Sequence, residues 1–243
     1  MKGCCILLVA WLGSSSTAAA ETVTLQAKKD NTLYESIQGT VSNGAGTDLF
    51  VGTTGARTGF AVRRALVAFD VAASIPAGAQ ISSVQLVLNM NKTVVGAKPV
   101  SLHRVLADWG EGTSLAVGSG GGGGGPATTG DATWVHRFFS TELWSTPGGD
   151  FASTASAQIQ VTSFGANTWG SSAAMVADVQ AWLDQPANNF GWILIGEEQN
   201  TASSKRFAAR ENPVAANRPH LVVQYTPTAI QGKTWTGIKQ LYR

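Results

Sequence analysis

The chain has 243 residues, of which 17 are Lys or Arg and 15 are Asp or Glu, so its formal net charge is +2. Only 13% of the residues are charged and no basic run is present, which argues against a nucleic-acid-binding surface. Both cysteines lie within the first five residues, so the rest of the chain offers neither a disulfide framework nor thiolate zinc ligands.

The N-terminus has the pattern of a secretory signal peptide. Lys2 is followed by an apolar run from Cys4 to Leu12, which is too short to span a bilayer, and then by a polar break and Ala18–Ala20. We therefore expect cleavage after Ala20, with residues 1–20 as the signal peptide. The mature protein is expected to be secreted and extracellular, without a membrane span.

The remaining chain alternates apolar and polar residues in short segments between turn-forming residues, which predicts β-strands. In chain order we expect strands at 22–28, 47–53, 63–71, 81–90, 99–106 and 157–162, one amphipathic helix at 174–184, and strands at 189–196, 205–210 and 221–225. A loop is expected to start at Asp30-Asn31. About nine strands with one helix predict an all-β, jelly-roll-like β-sandwich, with a β-barrel as the alternative.

Six consecutive glycines, Gly120–Gly125, interrupt this pattern. Glycine-rich segments are flexible, and the strands on both sides are needed to complete one sheet system. We therefore predict a long glycine-rich surface loop inside one domain, 21–226, rather than a linker between two domains. Residues 227–243 follow the last strand and are expected to form a C-terminal tail.

The sequence offers little that points to catalysis. His103, His136 and His220 have no zinc-ligand spacing, no Gly-x-Ser-x-Gly elbow is present, and the glycine run lacks the Lys of a phosphate loop. His136 beside Arg137 is compatible with a polysaccharide lyase, and no carboxylate pair is singled out for glycoside hydrolysis. A non-catalytic protein is therefore predicted, with a polysaccharide-active enzyme as the less favoured alternative.

Calcium is the metal ion that fits this composition best, because it binds carboxylate and carbonyl oxygens of loops. Asp30, Asn31 and Glu35 form one candidate cluster, and Asp108 with Glu111 forms another. The alternative is that these residues only form turns. A structural calcium ion is thus the one cofactor that the sequence suggests.

Four tryptophans lie in polar or glycine-rich surroundings and are candidate sugar-binding residues: Trp109, Trp134, Trp144 and Trp169. Flat aromatic rings pack on the C–H faces of sugars while polar neighbours bond the hydroxyl groups. The alternative is that these rings close the ends of the fold beneath long loops, which is favoured for the two that adjoin tight turns, Trp109 and Trp134. Periodicity assigns two other tryptophans, Trp182 and Trp192, to the core.

Several segments, taken in order, carry a family resemblance. They are Asp30–Glu35, Arg63–Asp70, Ile75–Ala79, Leu102–Val105, Asp108–Gly112, Val179–Leu183 and Arg218–Val223. Together they resemble the DNRLRE-type extracellular domain over roughly residues 21–226. The glycine-rich insert, with Gly130–Trp134 and Thr146–Phe151, is similar to a subset of that family. The resemblance implies a jelly-roll-like fold and secretion. Some related domains are carbohydrate-binding modules, and others occur in surface and matrix proteins.

The sequence therefore predicts a secreted, non-catalytic module whose partner is a polysaccharide or another extracellular matrix component. The alternative is a structural surface or matrix protein that binds no sugar. An exposed aromatic groove would favour the first function, whereas exposed apolar patches or an unpaired edge strand would favour the second.

Overall fold

The computed structural model describes residues 19–56, 59–116 and 121–228. The predicted signal peptide and C-terminal tail lie outside these ranges except for residues 19–20 and 227–228. Strands make up 42% of the structure and helices 9%, which confirms an all-β fold with one α-helix. In the part of the chain that is described, no helix is long and apolar enough to cross a membrane.

The strands and the helix follow one another in this order: β1 (Glu21–Tyr34), β2 (Val41–Ser42), β3 (Asp48–Thr53), β4 (Val62–Phe69), β5 (Gln80–Thr93), β6 (Lys98–Arg104), β7 (Gly125–Pro126), β8 (His136–Phe138), β9 (Glu142–Leu143), β10 (Ala157–Val161), β11 (Gly165–Trp169), α1 (Ala173–Asp184), β12 (Trp192–Ile195), β13 (Lys205–Ala208) and β14 (His220–Thr226). Short 3₁₀ turns lie at Pro186–Asn188 and Ala215–Asn217. All the strand pairs are antiparallel.

The main sheet system has two halves: one contains β14, β5, β13 and β11, and the other contains β4, β12, β6 and β10. Two strands, β1 and β3, connect these halves. β1 pairs with β14 through Glu21–Gln26 and with β4 from Ala27 to Tyr34. β3 pairs with β13 at its start and with β4 through Gly52–Thr53. The strands β1, β14, β5, β13, β3 and β4 therefore form a barrel-like closed ring, which is closer to the alternative architecture than to a simple sandwich of two sheets. β12, β6 and β10 extend the ring from β4, and β11 lies on the other edge of β5.

The loop predicted at Asp30-Asn31 is wrong, because β1 continues through both residues to Tyr34. Asp30 lies opposite Val67 and Asn31 opposite Leu66 on β4, and both polar side chains are buried. Distant partners satisfy them. Asn31 Nδ2 donates to the Glu111 carbonyl at 2.8 Å, and the Asp30 carboxylate accepts from Arg210 N at 2.7 Å.

The main core lies between the two halves and is closed on one side by α1. The Ser172 hydroxyl accepts a hydrogen bond from Met175 N and starts the helix, whose apolar side chains enter the core. Trp182 packs edge-on against Trp192 with ring centroids 4.5 Å apart, and both rings are buried. The core assignment of these two tryptophans is confirmed.

A second, smaller core lies on the outer face of the β4–β12–β6 half. Leu33, Leu66 and Ile193 contribute apolar side chains from the strands, and Trp109 and Trp144 cover them from the segment 105–151. The long connection between β6 and β10 therefore folds back over its own sheet and buries part of the outer face.

The described glycines of the glycine run are held against the fold. Tyr34 Oη donates to the Gly121 carbonyl at 2.9 Å, and Arg63 Nε donates to the Gly122 carbonyl at 3.2 Å. At Gly124, where φ is +69°, an added Cβ would lie 2.4 Å from Val41 Cγ1. Glycine is required there by backbone conformation and close packing together, which the prediction of a flexible loop did not include.

Candidate ligand-binding cleft

A cleft of about 640 Å³ opens where the segment 105–151 meets the uncovered part of the outer sheet face. Arg64 on β4 forms its floor, while Leu106, Thr146, Asp150 and Phe151 line its walls. Because Arg64 precedes the buried Ala65 in a strand, its side chain points to the outer face. The cleft is thus built by one strand and by the loops that cover the second core.

Arg64 is held rigidly in this cleft. Its Nε and Nη2 donate to the two carboxylate oxygens of Glu198 at 2.8 and 2.9 Å, and its Nη1 donates to the Gly148 carbonyl at 2.9 Å. The guanidinium carbon lies 4.9 Å from the ring centroid of Trp134 and 5.3 Å from that of Phe151. Ion pairing and cation–π contacts both fix its position, so little side-chain entropy remains to be lost when a ligand binds.

Asp150 fixes the loop wall opposite Arg64. One carboxylate oxygen accepts from Ser145 N at 2.9 Å and the other accepts from Thr146 N at 3.0 Å. Both oxygens of Glu198 accept from Arg64. The two carboxylates near the cleft are therefore engaged in structural hydrogen bonds on both oxygens, which favours positioning over acid–base chemistry.

Three of the four candidate sugar-binding tryptophans are buried, which corrects the sequence-based hypothesis for them. Trp109, Trp144 and Trp169 are 1%, 4% and 0% exposed. Their Nε1 atoms donate to the carbonyls of Phe190, Thr133 and Val100. A ring buried on both faces offers no surface to a sugar, so these tryptophans have the structural role that the alternative described.

Trp134 is the candidate that lies beside the cleft, in contact with Arg64. Its side chain is half-buried, and Arg64 packs over its ring. An added Cβ at Gly148 would lie 2.9 Å from Trp134 Cζ2, so Gly148 lets the loop approach the ring closely. The sequence favoured a structural role for Trp134 over a role in sugar binding, because its contact with Arg64 joins residues far apart in the chain and leaves no local pattern.

The predicted calcium ligands do not form one cluster. Asp30 and Asn31 are buried neighbours on β1, and neighbouring strand residues point to opposite faces. Glu35 is exposed beyond the end of the strand, where its carboxylate accepts from Val62 N at 2.6 Å. Asp108 is also separate from Glu111, since it pairs with Lys29 at 2.7 Å.

Asp30 instead meets two other acids. Within the described residues, Asp30, Glu111 and Glu211 form the group of three acids whose oxygens lie within 4.8 Å of one another. Arg210 shares this acidic cluster. Its guanidinium donates to both oxygens of Glu111 at 3.0 and 2.7 Å and contacts Glu211 at 2.5 Å, while Arg210 N donates to Asp30 at 2.7 Å.

The electrostatics of the acidic cluster reflect three carboxylates sharing one guanidinium. Burial, reinforced by the charges of Glu211 and Glu111, raises the pKa of Asp30 well above its usual value. Burial also raises the pKa of Glu211, whose Oε2 has no hydrogen-bond partner among the described residues. Hydrogen bonding to Glu111 raises the pKa of Arg210. The cluster thus has negative charge in excess, and its oxygens could hold a cation.

One further pair has chemistry that the sequence did not reveal. Ser101 Oγ lies 3.0 Å from His103 Nε2, and His103 Nδ1 lies 2.8 Å from the Ala152 carbonyl. Their spacing of two residues on β6 places both side chains on the outer face. A backbone carbonyl occupies the position that a carboxylate has in a catalytic triad. His136 and Arg137 do not share a site: His136 bonds Thr133 at 3.1 Å, whereas Arg137 pairs with Glu142.

No protein-family model matches the chain, and no curated protein matches it either. The DNRLRE-type resemblance therefore stays a prediction, and the geometry of the cleft carries the functional argument.

Proposed function

We propose that this protein is a secreted, non-catalytic module that binds an extracellular polysaccharide in the cleft beside Arg64. Membership of the DNRLRE-type family and a jelly-roll-like origin of the fold are part of this proposal, and the all-β architecture is compatible with both. The observation that carries the proposal is the preorganised Arg64, ion-paired with Glu198 and packed against Trp134 and Phe151.

This arrangement suits a sugar because a sugar presents hydroxyl groups and apolar C–H surfaces at once. The Arg64 guanidinium has donors beyond the three that the protein uses, and Phe151 and Leu106 supply apolar contact at the cleft wall. Carbohydrate and other small-ligand sites typically combine a few fixed polar groups with an apolar lining. The engagement of Asp150 and Glu198 in structural hydrogen bonds supports binding without catalysis.

A glycan-array screen followed by calorimetry on the strongest ligand tests the proposal. Leu106 lines the cleft and is 52% exposed, so Leu106→Glu changes the cleft with little effect on folding. Leu143 lies outside the cleft lining and is 62% exposed, so Leu143→Glu is the matched control. We expect at least about tenfold weaker binding for the first variant and unchanged binding for the control. Equal affinities would place the site elsewhere.

We also infer that a structural calcium ion binds at the acidic cluster. Carboxylate oxygens of Asp30, Glu111 and Glu211 are the ligands that calcium prefers, and the buried Glu211 Oε2 lacks a partner in the described structure. The ion would offset the negative charge that Arg210 leaves unbalanced. Thermal unfolding in calcium and in EDTA tests this inference.

A structural role without sugar binding is the second candidate function, and one observation favours it. β10 and β11 each pair with one neighbouring strand among those described, so the sheet system has two open edges. A blank glycan array at high protein concentration would favour this function.

A further inference from the structure

β10 has an open edge. It pairs with β6 from Ala157 to Val161 and with no other described strand. Ala157, Ile159 and Val161 face the main core, whereas Gln158 and Gln160 are exposed on the outer face. An edge strand of this kind presents unpaired N–H and C=O groups to solvent.

The pairing with β6 indicates which peptide groups are free. Gln160 lies opposite Pro99, which has no N–H to donate. Ser156 N donates to Leu102 O at 2.7 Å beside the Ala157–Leu102 pair, as in a β-bulge. Both observations indicate that Ala157, Ile159 and Val161 exchange hydrogen bonds with β6. The peptide groups of Gln158 and Gln160 then point away from the sheet.

The composition of this edge lacks the usual protection against self-pairing. Proteins commonly place Lys, Pro or inward-pointing charges on open edges, but residues 152–177 contain no Asp, Glu, Lys or Arg. The segment Gln158-Ile159-Gln160 has the same sequence in both directions, so two antiparallel copies of it place Gln opposite Gln. We propose that β10 pairs antiparallel with β10 of a second copy of this chain, centred on Ile159.

In this register Gln158 lies opposite Gln160 of the partner copy, and the reverse pair is related by the twofold axis. Each pair can exchange two backbone hydrogen bonds, because both residues direct their peptide groups outward. The side-chain amides also complement each other, since each carries a donor and an acceptor. Antiparallel pairing therefore meets no like-charge repulsion.

Phe164 gives the pairing a second contact. It is 66% exposed and lies three residues beyond Val161. Thr154 and Phe164 lie just beyond opposite ends of β10, so the twofold axis places Phe164 of one copy beside Thr154 of the other, where a shallow groove of about 300 Å³ is lined by Thr154, Ala155, Ala174 and Ala177 together with Arg104 and Asp178. A large exposed aromatic ring on one copy thus meets a groove lined by small residues and by the Arg104–Asp178 ion pair on the other, and the twofold axis repeats the contact.

The size of the surface sets the expected affinity. Stable dimers bury roughly 1,200–2,000 Å² in total, and a five-residue strand pair with two aromatic contacts falls below this range. We therefore expect a reversible dimer with a dissociation constant on the order of 100 µM.

Sedimentation of the full chain between about 10 µM and about 1 mM tests the dimer, and two double variants test its register. Gln158→Lys with Gln160→Lys places like charges opposite each other, and should weaken the dimer about tenfold. Gln158→Lys with Gln160→Glu places opposite charges together, and should keep the dissociation constant within about threefold of the original. A monomer at the highest concentration, or equal behaviour of the two variants, would overturn the proposal.

Two further measurements locate the contact. Phe164→Ser should weaken dimerisation, whereas Leu143→Ser, which removes an exposed apolar residue elsewhere, should not. Hydrogen exchange at the amides of Gln158 and Gln160 should slow as protein concentration rises. Full protection of these amides in the monomer would show that another part of the same chain covers the edge, and would overturn the proposal.

Discussion

Replacement of Trp144 by Ala tests whether this tryptophan is a core residue or a sugar-binding residue. The ring is 4% exposed, lies in the second core and donates from Nε1 to the Thr133 carbonyl at 2.9 Å. Removing a buried tryptophan costs about 3–5 kcal/mol, including the cavity that remains. In a chain of this size each kcal/mol lowers Tm by about 2–4 °C, so Trp144→Ala should lower Tm by about 6–20 °C.

Trp134→Ala is the comparison, because Trp134 is half-buried beside the cleft. The variant loses the cation–π contact with Arg64 and part of its packing, so its free energy of unfolding should fall by about 1–2 kcal/mol. Calorimetric unfolding gives the two Tm values, and glycan affinity is then measured well below both. Trp144→Ala should keep its affinity, whereas Trp134→Ala should lose it. An unchanged Tm with lost affinity in Trp144→Ala would refute the assignment of this ring to the core.

Three further predictions concern the charged groups. Lys205 is buried and donates to Thr93 Oγ1 and to two loop carbonyls, so Lys205→Met should lower the free energy of unfolding by about 2–3 kcal/mol in urea titrations. The exposed Lys92→Met should change it by less than about 0.5 kcal/mol, and equal effects would contradict this reasoning. The pKa of Asp30 is raised on folding, so the native state binds the proton more tightly than the unfolded chain. In EDTA, the contribution of Asp30 to stability should therefore rise as pH falls from 7 towards the unfolded pKa near 4, and Asp30→Asn should reduce this dependence; a steeper dependence in the variant would contradict it. Millimolar calcium should raise Tm at pH 7 relative to EDTA, and Glu211→Gln should abolish the increase; identical Tm values for the original chain would exclude the ion.

Much of the fold could be predicted from local patterns. The helix predicted at 174–184 is Ala173–Asp184, and the strands predicted at 205–210 and 221–225 are Lys205–Ala208 and His220–Thr226. These segments bury one face, so the spacing of their apolar residues reports their structure directly. Asp70 also caps the turn after β4 by accepting from Ala73 N at 3.3 Å.

The errors lie where distant contacts override local preference. Asp30 and Asn31 are turn formers, yet they remain in a strand because partners such as Glu111 satisfy them across the fold. β11 at Gly165–Trp169 was not predicted, because its glycine and asparagine weaken the strand pattern. The second core was also missed. The continuous apolar runs Ala65–Phe69 and Trp192–Ile195 indicate strands buried on both faces, but these runs do not show which segment covers the outer face.

The acidic cluster could not be assembled from spacing. Glu111 follows Asp30 by 81 residues, and Arg210 follows Glu111 by 99. Each residue alone has the appearance of an ordinary surface charge. They meet only in the folded chain, where Arg210 bonds both Asp30 and Glu111.

The location of the cleft on the β4–β12–β6 half has a consequence for adhesion. Antiparallel pairing of two β10 strands has its twofold axis perpendicular to the sheet, so both Arg64 clefts of the proposed dimer would face the same side. One long polysaccharide, or one coated surface, could then occupy both clefts at once. Simultaneous engagement can raise apparent affinity by about 10²–10⁴ without any new contact. A weak site on a weak dimer would in this way give strong attachment only where the polymer is dense.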